Sequence, residues 1–209
     1  MSKLLEKLKN NKMTLIVQLP ENTAEMAAAA ERAGADAIVI RDGDDVSGIS
    51  SAVKVPVGLD ISDQAEIDEK TARSHDKFDF VNFHFEALKT VSKKLKTGKI
   101  IALNEEYTLD KIIGVEETGA QAIDAAILPL GASSKELMVG DLQNYIAIAI
   151  SSGLPVIIPT QRSIKPSEVA IIADTGARGI ILTEEVLGDN VRSLEKNLKE
   201  YRTAADDLG

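Results

Sequence analysis

Cysteine and tryptophan are missing altogether, and phenylalanine and tyrosine together supply only 3% of the 209 residues. Without cysteine there are no disulfides, thiolate metal sites or cysteine nucleophiles. Few aromatics leave little on which nucleic-acid bases could stack. Basic clusters are also lacking. Thirty-three acidic against 24 basic residues give a formal charge of −9, so a phosphate backbone is repelled and nucleic-acid binding is excluded. No apolar run approaches the ~18 residues of a membrane span, which excludes a membrane partner. The start, SKLLEKLKNNK, holds no apolar stretch of signal length, so the expected location is cytoplasmic.

What is abundant is Ala, Ile, Leu and Val, within 44% hydrophobic residues. They fall into short runs suited to parallel strands covered by helices. TLIVQLP (14–20) leads into ENTAEMAAAAERAG, where Asn22 or Thr23 can cap a helix that stops at Gly34. The pattern recurs in ADAIVIRD (35–42), VPVGLDI (55–61), FDFVNFHF (78–85), KIIALNEEY (99–107), AIDAAILP (122–129), LPVIIPTQ (154–161) and ARGIILTE (177–184). Eight strands alternating with helices, at about 25 residues per unit, predict a single closed (β/α)8 TIM barrel spanning residues 1–209. Residues 2–12 are read as a short helix closing its N-terminal end.

Chemistry in such barrels sits where the strands end, and alternation along each strand separates inward from outward side chains. On strand three Gly58 and Asp60 share the inward face, and on strand four Phe80, Asn82 and His84 do. Extending strand five to residue 107 aligns Ile100, Ala102, Asn104 and Glu106. Gln18 ends strand one, and Arg41 or Asp42 ends strand two. The reading therefore sets His84, Asp60 and Glu106 as acid–base residues, with Gln18, Arg41 and Asn104 as substrate contacts. A histidine beside carboxylates can act as a base tuned by its neighbours. The only other histidine, His75, falls in a polar stretch and is read as exposed. No metal ligands are assigned and the cofactor is unknown; a divalent metal stays open because carboxylates ring the mouth, without the spacing of a ligand motif. Lys54 and Lys99 fall at the wrong end of their strands for Schiff-base chemistry. Ser133 and Ser134 have no nucleophile-elbow context.

The stretch LPVIIPTQRSIKPSEVAIIADTGARGIILTEEVLG resembles the seventh and eighth βα units of the ribulose-phosphate-binding barrel superfamily, which includes indole-3-glycerol-phosphate synthase and thiamine-phosphate synthase. An IVxLP start and a P-T-Q-[KR] loop are similar to a bacterial and archaeal branch that supplies a fold and no reaction. The resemblance implies a phosphate cradle formed by Thr160, Gln161, Arg162 and Ser163 with Thr183, Glu184 and Glu185. Here the pattern departs from the family, because Gln-Arg-Ser and Thr replace its glycines and two glutamates occupy the helix start. One expectation is that Glu184 and Glu185 stand in for the phosphate, satisfying the helix dipole and pairing with Arg162; the other is that Arg162 holds an anion. The catalytic motifs of the named enzymes are not matched. The functional expectation is a lyase or isomerase that applies acid–base chemistry to a small anionic metabolite. The alternative is a barrel that binds a metabolite or partner without turnover, and a homo-oligomer is open in either case.

Overall fold

The computed structural model describes residues 2–41, 47–91, 95–129 and 136–209. Asp42, Ser133 and Ser134 lie outside them. Eight parallel strands close into a barrel in chain order: β1 (Thr14–Gln18), β2 (Ala37–Arg41), β3 (Val57–Ile61), β4 (Phe80–His84), β5 (Gly98–Ala102), β6 (Ala122–Asp124), β7 (Val156–Pro159) and β8 (Gly179–Leu182). β8 pairs back onto β1, with Leu15 opposite Ile180. Around them run α1 (Lys3–Asn10), α2 (Ala24–Ala33), α3 (Ser47–Ala52), α4 (Glu69–Ser74), α5 (Phe85–Val91), α6 (Leu109–Ile112), α7 (Val139–Ser151), α8 (Val169–Asp174), α9 (Glu184–Leu187) and α10 (Val191–Asp206). Among the described residues no helix is long and apolar enough to cross a membrane.

Alternation sorts the core into two bodies. Outward residues such as Val17, Ile40, Leu59, Val81, Phe83 and Ile101 pack under the helices. Inward residues Ile16, Val39, Phe80, Ile100, Ala122, Ile157 and Ile181 fill the barrel. Leu4, Leu5 and Leu8 of α1 join that inner cluster from the N-terminal end. The helix is fastened there by Asp79, which accepts hydrogen bonds from Ser2 Oγ (2.6 Å) and from the backbone N–H groups of Lys3 and Leu4. The filler is a large ring beside an absent side chain: a Cβ on Gly58 would stand 2.2 Å from the Phe80 ring.

α2 forms as its sequence dictates. Thr23 Oγ1 accepts from the Met26 N–H, and Gly34 closes the helix in the left-handed region. Two expectations need correction. β5 stops at Ala102, not at residue 107, because Asn104 Oδ1 accepts the Glu106 N–H and the Asn104 carbonyl accepts the Tyr107 N–H, which turns the chain. His75 is buried, since the polar stretch before β4 folds into a short 3-10 turn against the barrel.

Candidate functional site

Above the apolar filling, the next inward position on each of five strands is polar: Gln18, Arg41, Asp60, Asn82 and Asp124. Their side chains form one chain of hydrogen bonds. Arg41 Nη2 donates to Gln18 Oε1 at 3.2 Å, and Gln18 Nε2 donates to Asp60 Oδ2 at 3.2 Å. Asn82 Nδ2 then bridges two carboxylates, reaching Asp60 Oδ1 at 3.3 Å and Asp124 Oδ2 at 2.7 Å. The Ser62 N–H adds a third donor to Asp60.

Asp60 and Asp124 line a cavity of about 540 Å³ at the C-terminal mouth, together with Gln18, Arg41, Asp63, Gln161 and Thr183. Asp124 is only 4% exposed, and its Oδ1 has no hydrogen-bond partner among the described residues. Burial first, and the Asp60 charge second, push its carboxyl up to about 7, against the lowering effect of the Asn82 hydrogen bond. A buried acid poised near neutrality can hold or release a proton at the cavity floor. Asp60, by contrast, is partly accessible and held by three donors.

The expected site residues divide among several places. Asp60, Gln18, Arg41, Gln161 and Thr183 share the central cavity. His84, Asn104 and Glu106 line a separate hollow of about 90 Å³ with Tyr107 and Lys111. His84 Nδ1 there accepts the Glu86 N–H at 3.2 Å. Asn104 and Glu106 fall beyond the end of β5, where strand alternation no longer applies. A third hollow, of about 110 Å³, shares Gln18 and Arg41 with the cavity and adds Glu184.

Most of the phosphate-cradle residues are engaged by other groups of the protein. Gln161 clips the backbone of Leu128, accepting its N–H and donating to its carbonyl, both at 3.1 Å. Thr160 Oγ1 accepts the Thr183 N–H and lies 2.9 Å from Thr183 Oγ1. Arg162 neither pairs with the glutamates nor lines the cavity. It makes a two-pronged bridge to Asp141 on α7, at 2.9 and 3.1 Å. Asp141 is the better partner because it is fixed beforehand, accepting the Met138 N–H at the start of α7. Glu184 and Glu185 occupy the first turn of α9, with Thr183 as its cap residue, and Glu185 accepts a 3.4 Å hydrogen bond from Ser163.

Sequence reasoning set Asn82 on the inward face without giving it a role, and passed over Asp124 and Asp141. The signal for Asp124 was present: an acid between Ile123 and Ala125, two positions beyond inward-facing Ala122, belongs on the barrel face. Among the described residues no three His, Cys, Asp or Glu side chains converge in a metal-holding group. Asp60 and Asp124 offer a pair of carboxylates joined by an amide.

Fold and mouth together define a closed (β/α)8 barrel with a carboxylate-floored cavity at its C-terminal end. No protein-family model matches the sequence, and no curated protein sequence does. Solved structures do resemble it. Thiamine phosphate pyrophosphorylase from Pyrococcus furiosus superimposes with a TM-score of 0.68 at 17% identity, over 95% of this chain and 98% of that one. N-acetylmannosamine-6-phosphate 2-epimerase from Clostridium perfringens gives 0.67 at 19% identity, over 87% and 90%. Tryptophan synthase from Mycobacterium tuberculosis gives 0.69 at 13% identity, over 97% and 96%. At such identities the likeness is one of fold, the closed (β/α)8 barrel that the sequence predicts.

Proposed function

We propose that the protein is a cytoplasmic small-molecule enzyme of lyase or isomerase type, in which Asp124 exchanges a proton with a small metabolite in the central cavity. The observation that carries this reading is the Asp60–Asn82–Asp124 relay, with Asp124 held at about 7 on the cavity floor. A base matched to the working pH removes a carbon-bound proton most efficiently. Asp124 would take that proton from the carbon beside a carbonyl, and the electron pair would move onto the carbonyl oxygen. Where that carbon bears a hydroxyl, returning the proton to the former carbonyl carbon, while the hydroxyl proton passes to the former carbonyl oxygen, forms the new C=O and isomerises the substrate; where the β carbon bears a leaving group, the carbonyl re-forms as a Cα=Cβ bond is made and the group departs with its bonding pair. Asn82 separates the two carboxylates, and Asp60, anchored by Gln18 and Ser62, orients Asn82. An anionic group on the metabolite would meet Arg41 at the rim. Two of the like-folded proteins are named for phosphorylated compounds, which agrees with such a group. The reading keeps Asp60 from the sequence expectation and gives Asp124 the role first assigned to His84 with Glu106.

The test is proton exchange in deuterated water. Wild type, Asp124→Asn and His84→Ala are each incubated with a panel of small hydroxy acids, keto acids and sugar phosphates, and carbon-bound deuterium or new product is read by mass spectrometry. Exchange by the wild type and by His84→Ala, lost by at least 100-fold in Asp124→Asn with the fold intact, is the expected outcome. Equal rates in wild type and Asp124→Asn would overturn the assignment. A second reading, binding without turnover, draws support from the Gln161 clip, which ties the β7 loop to the segment after β6, and from the Thr160–Thr183 pair, which joins the ends of β7 and β8. Ligand-induced stabilisation with no exchange at any carbon would favour it.

A further inference from the structure

Large apolar side chains are exposed in one sector of the barrel. Among the described residues they are Leu109 and Ile113 at α6, Met138, Val139, Ile146 and Ile150 at α7, and Ile171 on α8. These are three consecutive helices, and α6 packs directly on α7. Other helices point charge outward: α10 buries Leu194, Leu198 and Tyr201 and exposes Arg192, Lys196, Lys199 and Glu200.

α7 is apolar on both sides. Asp141, Tyr145 and Ile148 face the barrel. On the opposite side, Val139, Ile146 and Ile150 fall within about 40° of one another at 100° per residue and form an outer stripe. Val139 is 71% exposed and Ile150 79%. Gln143 continues the stripe, and no ionisable side chain of the helix is exposed, since its one acid, Asp141, is buried. A helix that is apolar all round requires cover on both faces.

We infer that this face is the interface of a homodimer, in which α7 packs antiparallel against α7 of a second copy across a two-fold axis near Gln143 and Ile146. The symmetry of the stripe and its area select the occupant, and local charge permits it. Each chain carries −9, so two copies approach most easily where exposed carboxylates are few; the outer side of α7 has none, and the exposed acids Asp110, Glu136 and Asp174 belong to the flanking segments. The stripe is also self-complementary. Its apolar ends, Val139 and Ile150, exchange places under the two-fold, and in the same arrangement α6 meets α6 and α8 meets α8, so Ile113 and Ile171 find apolar counterparts. The exposed parts of the seven side chains amount to on the order of 700 Å² per copy, close to the ~800 Å² that each partner buries in a standard interface.

The test uses the full chain. Sedimentation across a concentration series is expected to give twice 22.4 kDa for the wild type. The Ile146→Glu/Ile150→Glu variant is expected at the monomer mass with an unchanged circular dichroism spectrum, its dissociation constant raised at least 100-fold. Because the chain has no cysteine, Ile146→Cys gives an independent readout: mild oxidation should cross-link it as a dimer, while Lys199→Cys on α10 should stay single. A wild type that remains monomeric throughout overturns the inference, as does a dimer that survives both glutamates. Should the glutamate variant fail to fold, the cysteine pair decides alone, and failure of Ile146→Cys to cross-link overturns the inference.

Discussion

A carboxyl held at about 7 ties stability to pH in the direction opposite to that of an ordinary salt-bridged acid. Unfolded, Asp124 would titrate near 4; folded, it keeps its proton to about 7. Between those values the native state binds more protons, so stability falls as pH rises through that window. Asp124→Asn mimics the protonated form. Its advantage over wild type should be absent below about pH 4 and grow to a few kcal/mol by about pH 8, at about 1.4 kcal/mol per unit of pKa separation. Melting both proteins from pH 4 to pH 8 checks this, and a constant difference would contradict it. The same residue shows what could be read from sequence. Alternation brought Gln18, Arg41 and Asp60 to one cavity, and applied to β6 it would have added Asp124. It carried no information past a strand's end, which is why Asn104 and Glu106 came to another hollow.

Individual elements were legible where a local signal had no competitor. The Thr23 cap and the Gly34 stop bound α2 as expected, whereas β5 was extended through a turn whose hydrogen bonds come from the Asn104 side chain and carbonyl. The partner of Arg162 could not be read from the β7 loop alone, because Asp141 reaches it from another helix. Both side chains of that bridge are nearly buried, 12% and 7% exposed. Truncating the arginine takes the cation away from the buried Asp141 carboxylate, so Arg162→Ala should cost about 3 kcal/mol in chemical denaturation. It should leave the affinity for inorganic phosphate unchanged by calorimetry, since Arg162 does not line the cavity. Within the barrel, Gly58→Ala drives a methyl into the Phe80 ring. Overpacking of this kind should cost about 3 kcal/mol in urea unfolding, and Phe80→Leu in the same chain should recover part of the loss.

At the level of the whole molecule, eight apolar runs at even spacing were enough for the closed barrel, because parallel strands buried on both faces must each return through a covering helix. The outward face of α7 was less legible, since its composition matches that of a helix buried all round. The plug formed by α1 carries a further consequence. Its seat is built from widely separated parts of the chain: Leu8 lies where a side chain on Gly179 of β8 would stand, Ser2 abuts Gly98 of β5, and Asp79 comes from the turn before β4. During synthesis α1 leaves the ribosome before every strand of the barrel, yet its groove is complete only once β8 has been made. Its three leucines must therefore wait in solvent or find transient company, and α1 is made before the seat on which it docks.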